Sequence, residues 1–246
     1  MTNNAYHWYT EYLPRLQIIY KKLLNENYFL LLDSSLNSFQ FESLKLLSIP
    51  ENKIIIWDGK PSIVLNCIIP SLRHEVLLKN RFDIHSRISY EWVMSKINLS
   101  LKNTNKQNYN LIISRNDVDS RRLVNQDLLK EKLKYYNFKI FNLSDHNQNE
   151  IISYFKNAKI IIGVHGAAFT YTMFCSQAKI IEIFPNNYKE KGNKKSTHDC
   201  LNSFFQISAY QNNHHYVYVS ESISGNKFNI KINLQNFLDF FNKNIL

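Results

Sequence analysis

Apolar positions recur along the chain in two rhythms, every third or fourth residue and in short unbroken runs, and the switches between them outline the elements. In the first hundred residues, helical spacing over 6–24 leads into the apolar run "YFLLL" 28–32, which reads as a buried strand. A second helical stretch follows over 36–47. "KIIIW" 53–57 and "SIVLN" 62–66 then read as strands, and 74–101 as mostly helical. "KNTNKQN", 102–108, holds no apolar residue and reads as a linker. Beyond it the alternation is cleaner. Strands are expected at "YNLIIS" 109–114, "FKIF" 138–141, "KIII" 159–162 and "KIIEIF" 179–184, with helices over 120–135, 147–156 and 168–175 between and after them. Short apolar strands joined by helical crossovers predict a parallel, doubly wound sheet, with "HHYVYV" 214–219 and the amphipathic stretch 234–245 completing it.

Composition adds limits. The 246 residues are 44% hydrophobic and 14% aromatic, a globular mix long enough for one large domain or two small ones. No apolar run reaches 18 residues, and "MTNNAYHWYTEYLPR" lacks the basic and apolar regions of a signal peptide, so a soluble, cytoplasmic protein is expected. Cys67, Cys175 and Cys200 stand far apart, a pattern that suggests neither a disulfide framework nor a zinc site. A net charge of +10 points to an anionic partner: nucleic acid, an acidic membrane surface met through basic residues, or a phosphorylated small molecule. Lysine pairs such as Lys21-Lys22 read most simply as solvated. The arginines say more, because a planar fork matches phosphate and carboxylate.

In a parallel sheet, ligands sit at the carboxyl ends of the strands. Three such ends carry chemistry here. In "IIIGVHGAAF", Gly163 closes a strand and Gly166 opens the next turn, so the backbone around His165 and Ala167 can approach an anion at a helix start. A tight turn with a surface histidine is the plainer alternative. "IISRND" puts Ser114 and Arg115 just past another strand, with Arg121 six residues on. Glu182 lies among isoleucines, where an unpaired carboxylate is costly, so it must meet a cation or accept hydrogen bonds from ribose or sugar hydroxyls. GxGxxG is absent. "DVD", 117–119, has the letters of a metal-binding DxD, but its place before a helix favours a cap.

A different grouping stands at the N-terminus, where His7, Glu11 and Arg15 are spaced i, i+4, i+8 and share one helical stripe if Pro14 does not kink it. A histidine oriented by a carboxylate suits a general base; a surface ion pair is the alternative. Arg73, Tyr188, His198 and one of His214 and His215 are softer candidates.

"LIISRNDVDSRRLVNQDLL" and "NAKIIIGVHGAAFTYTMFCSQAKIIEIFP", preceded by "NAYHWYTEYLPRL", resemble the glycosyltransferase 61 family in order, spacing and residue type. "SQA" 176–178 departs from the Pro-Gly common before the last strand, and the N-terminal part is short for the family. The resemblance implies an α/β protein of GT-B type, with two Rossmann-like domains whose parallel sheets face each other across a cleft. On that reading 1–102 is the acceptor-side domain, 103–232 binds the nucleotide sugar, and 233–246 is a helix packing back on the first domain. It implies an inverting, metal-independent transferase without a cofactor, taking a UDP-sugar as donor and a glycan hydroxyl as acceptor in capsular or surface polysaccharide synthesis. It places His7 and Glu11 in catalysis, Arg15 on the acceptor side, and Ser114, Arg115, Arg121, Gly163, His165, Gly166, Ala167 and Glu182 around the donor, with no metal. The competing readings are a basic nucleic-acid-binding protein, for which no aromatic-lined basic stripe is found, and an inactive sugar-nucleotide-binding module.

Overall fold

The computed structural model describes residues 4–32, 36–70, 74–77, 82–85, 87–101, 107–185, 197–220 and 229–246. Arg73 and Tyr188 lie outside these residues, as does the side chain of His198. The chain divides into two compact units, Met1–Thr104 and Asn105–Leu246.

The first unit opens with one helical run that changes pitch three times. α1 (Ala5–His7) passes into a π turn at Trp8–Tyr12, a 3-10 turn at Leu13–Arg15, and α2 (Leu16–Asn25). Pro14 supplies the reason: it has no N–H to donate, and its ring crowds the carbonyl four residues back, which a widened turn relieves. β1 (Leu30–Leu32) pairs in parallel with β2 (Ile54–Ile56), joined by α3 (Ser38–Leu46). Tyr9, Leu13, Leu44, Leu47 and Ile97 are wholly buried there, and Trp8 Nε1 donates to Ser43 Oγ at 2.7 Å.

Two expectations fail in this unit. "SIVLN" 62–66 forms no strand, and Ile63 and Leu65 are each 91% exposed. The region after residue 73 begins as an antiparallel pair, β3 (His74–Leu77) with β4 (Phe82–His85), before helix α4 (Arg87–Ser100). Phe-Asp-Ile-His at 82–85 alternates with the period of two that a strand has, a signal the longer helical window hides. Among the described residues, the sheets of this unit are two-stranded pairs rather than a Rossmann-like sheet.

The second unit is a five-stranded, all-parallel sheet. It contains β5 (Tyr109–Ile113), β6 (Phe138–Phe141), β7 (Ala158–Val164), β8 (Lys179–Pro185) and β9 (His214–Ser220), in the order β6-β5-β7-β8-β9. The isoleucine runs belong to central strands buried on both faces, as parallel sheets require. One face packs on α5 (Gln126–Lys132) and α8 (Leu234–Ile245), with Leu129, Ile162, Ile181, Phe237 and Phe241 in a single core cluster. The other carries α6 (Gln148–Lys156), the 3-10 helix Ala167–Phe174 and α7 (Thr197–Tyr210).

Three further corrections concern this unit. α8, expected to pack on the first domain, buries its stripe Phe237, Phe241, Ile245, spaced by four, in the second unit's own core. α5 starts at Gln126 instead of 120, because the backbone at 122–124 is taken by a parallel bridge, Leu123 to Ile230, with Val124 N–H donating to Ile230 O. The segment after β7 is 3-10 rather than α-helical, and α7 is an element that the periodicity did not disclose.

Candidate functional site

From β5 the chain moves to one side to make β6, then returns past β5 to make β7. The strand order therefore reverses between β5 and β7, and in an open parallel sheet the crevice beyond that reversal is where ligands bind. The residues at those two carboxyl ends are Ser114-Arg115 and His165-Gly166.

Arg115 and Arg121 converge there. A Cβ built on Gly166 would lie 2.3 Å from Nη1 of Arg115, so glycine at 166 is what lets the guanidinium rest against the backbone. Arg115 Nε donates to Ser120 O at 3.3 Å, and Arg121 Nη1 donates to His165 O at 3.3 Å. Arg121 sits at φ +58°, a left-handed conformation costing a non-glycine residue about 1–2 kcal/mol. Its neighbours hold it there: Arg122 N–H donates to Asn229 Oδ1 at 2.8 Å, and the buried Asn125 donates to Ile232 O at 3.0 Å and accepts from Ile232 N–H at 3.2 Å. Ala167 begins the 3-10 turn beside them, partly exposed.

Ser114 and Gly163 have other duties. Ser114 is buried and its Oγ accepts from Asn116 N–H at 3.3 Å, which shapes the turn carrying Arg115. Gly163 is a packing position: a Cβ there would lie 3.0 Å from that of Ile113 and 3.3 Å from the Phe169 ring.

Glu182 resolves the dilemma of a carboxylate among isoleucines. It is 0% exposed and held between two imidazoles, Oε1 with Nδ1 of His165 and Oε2 with Nε2 of His215 at 2.9 Å. With Glu182 ionised, both rings donate to it. Nδ1 of His215 meets Ser208 Oγ at 2.8 Å, accepting from the hydroxyl when the ring is neutral and donating to it when the ring is charged. Burial alone would raise the Glu182 carboxyl above its usual range, but the charge and hydrogen bonds of His165 and His215 outweigh it and hold the group below that range. Each carboxylate oxygen meets one imidazole, so the cation alternative for Glu182 is the one whose partners are present. It fixes the ring of His165, which stacks near Phe184 with centroids 4.2 Å apart.

In the first unit, His7 Nδ1 meets Glu11 Oε1 at 2.7 Å, with side chains 44% and 17% exposed. A carboxylate on Nδ1 places the ring hydrogen there and leaves Nε2 with the lone pair. Arg15 stands beyond the π turn, at the end of the 3-10 turn Leu13–Arg15. Its guanidinium lies over the Tyr12 ring, 5.1 Å from the centroid. The "DVD" triplet lies in exposed turns, with Asp119 3.8 Å from Arg122. Among the described residues no group of three His, Cys, Asp or Glu side chains is arranged to hold a metal ion.

A family model described as Glycosyltransferase 61 matches residues 5–181, which is most of the chain. The chain belongs to the glycosyltransferase 61 family. It is therefore an enzyme that transfers a sugar from a donor to an acceptor. Comparison with curated proteins found no match.

The matched span of this glycosyltransferase holds both arginines, the Gly163–Ala167 corner and the His7–Glu11 pair. Glu182 follows it directly, and Ser208 and His215 lie further along the chain. Sequence reasoning missed Ser208 entirely and left His215 undecided between two neighbours. The available signal was the strand register: His215 stands beside Ile180 on β8, so its side chain shares a sheet face with Glu182 two residues on. Among the described residues no helix is long and apolar enough to cross a membrane.

Proposed function

We propose that this glycosyltransferase is of GT-B type and moves a sugar from a nucleotide sugar, a UDP-sugar, to a hydroxyl of a glycan acceptor, with inversion and without a metal. Capsular or surface polysaccharide synthesis at the cytoplasmic face of a membrane is the setting we assign to it. The donor belongs to the second unit and the acceptor to the first. The observation that carries the reading is the convergence of Arg115 and Arg121 on the His165–Gly166 corner at the point where strand order reverses.

Inverting transfer forms a bond from the acceptor oxygen to the anomeric carbon as the bond from that carbon to the diphosphate oxygen breaks. The acceptor proton goes to a base, and the leaving diphosphate gains charge. His7 Nε2 takes the proton, with Glu11 holding Nδ1–H and balancing the imidazolium. Arg115 and Arg121 meet the diphosphate with charge-assisted hydrogen bonds, the service a metal performs in other transferases. His165, fixed by Glu182, contributes to the donor corner.

Calorimetry against UDP-, GDP- and CMP-sugars, each with and without EDTA, tests this reading. Binding of a UDP-sugar undiminished by EDTA is expected. Binding abolished by EDTA removes the metal-free mechanism, and binding of none of the panel removes the donor assignment.

A further inference from the structure

The first unit encloses a cavity of about 770 Å³, a size usual for small-molecule sites. It is walled by the helical run 5–25 on one side and by β1, β2 and the extended segment 64–70 on the others. The walls are apolar almost throughout: Trp8, Leu16, Ile19, Leu32, Leu44 and Ile68 are typical. Arg15 is the cation among them. Its Nε is buried and has no hydrogen-bond partner among the described residues, a costly state for a charged donor unless a ligand supplies the acceptor. The other ionisable side chains of the wall, Tyr12, Glu26, Tyr28 and Cys67, do not balance it: Tyr12 offers its ring face, and Glu26 is exposed. The same extended segment that closes the cavity carries apolar side chains to the surface. Ile63 and Leu65 are 91% exposed, Ile69 85% and Val64 53%, more than isolated surface residues need.

A sugar offers hydroxyls on every side and would leave them unsatisfied in such walls. We propose that the cavity receives the apolar chain of a lipid-phosphate acceptor, with the phosphate on Arg15 and the glycan carried beyond it. The exposed apolar segment 63–69 marks the side from which a membrane-borne chain enters. This assignment rests on the proposed acceptor role of the first unit and names its substrate class.

Cys67 lies in the cavity wall and is an exposed free thiol, so it reports occupancy directly. The experiment follows maleimide labelling of Cys67 in the full chain carrying Cys200→Ser, with Cys175 buried and shielded by its apolar site, which raises its thiol far above the usual range. Farnesyl phosphate is the probe, and farnesol, inorganic phosphate and phosphatidylglycerol vesicles are the other arms. Farnesyl phosphate should slow labelling at least tenfold, at a concentration at least tenfold below that required of farnesol, while inorganic phosphate gives no protection. Arg15→Gln should erase the difference between phosphate and alcohol, and Ile19→Trp, which narrows the cavity, should weaken protection by both. Equal protection by phosphate and alcohol in the parent overturns the role of Arg15. Protection by none of the probes, or protection undiminished by Ile19→Trp, overturns the site. Vesicles protecting as well as farnesyl phosphate would assign the cavity to bilayer lipid instead of the acceptor. UDP-sugar binding measured on the same variants reports the second unit independently. A chain that binds donor but shows no Cys67 protection loses this inference alone, and one that shows protection but binds no donor loses the donor reading alone.

Discussion

Among the histidine–glutamate pairs of the described residues, His7–Glu11 and His165–Glu182 have surroundings that give them opposite characters. His7 and Glu11 are neighbours on one helix, brought together by a spacing of four, and the ring is nearly half exposed. Such a pair is worth little to stability, but solvent and substrate can reach it and protons can come and go. His165 and Glu182 come from adjacent strands and are buried, and the carboxylate is gripped from its far side by His215 and, through it, by Ser208. That pair is fixed in position and slow to give anything up. A local pair suits a group that must change protonation in each turnover. A pair built from three elements suits one that must stay where it is.

Removing His7 should produce the largest effect. His7→Ala is expected to lower kcat by about 10²–10⁴-fold, the usual worth of a general base, with nucleotide affinity nearly unchanged. A rate within threefold of the parent would transfer the proton-accepting role elsewhere, and His165→Ala with intact donor binding but lost rate would transfer it to the buried pair. Glu182→Ala strands two imidazoles in a dry site and should cost about 3–5 kcal/mol of stability by denaturant titration. Glu182→Gln is expected to be milder, since the amide can donate to His215 if that ring changes tautomer and the Ser208 hydroxyl turns to accept from it. Equal losses for both variants would mean that the negative charge of the carboxylate, not its shape, is what the site uses.

Arg115→Ala should weaken nucleotide binding by about 1.5–3 kcal/mol, the range of a charge-assisted hydrogen bond, while leaving the thermal midpoint close to that of the parent. Gly166→Ala should act in the same direction by pushing the Arg115 guanidinium off the corner, so an unaltered affinity there would mean the guanidinium is not used from that position. The smallest effect is a pH limb. Glu182 titrates below its ordinary 4.5 in the folded protein, so between the two values the unfolded chain binds more protons. The stability that Glu182 adds is therefore complete above about pH 4.5 and drains away as pH falls through the folded value. Melting curves from pH 6 to 3 should show the parent losing stability more steeply than Glu182→Gln. Parallel slopes would remove Glu182 as the source.

The second unit was largely legible in the sequence because its central strands are buried on both faces, and unbroken isoleucine runs between polar loops leave little choice. The arginine corner was legible as well, since Arg115 and Gly166 follow strand ends directly. What escaped was set by contacts distant in sequence. The start of α5 depends on a bridge to Ile230, and the fate of Glu182 depends on two side chains beyond β8, neither of which leaves a local trace. In the first unit the π turn at Trp8–Tyr12 and the 3-10 turn after it interrupt the α-helix, and helical spacing counted at 3.6 residues cannot show them.

The fastening of the arginine loop to residues 229–232 bears on how the enzyme is made. Those bonds span 107 positions. During synthesis the sheet strands up to β8 can emerge and pair while Arg121 still lacks the neighbours that hold its left-handed backbone. The donor corner should therefore mature later than the sheet, assembling only after residues 229–232 have cleared the ribosome, so that a chain cut before them carries a formed sheet but no competent sugar-nucleotide pocket.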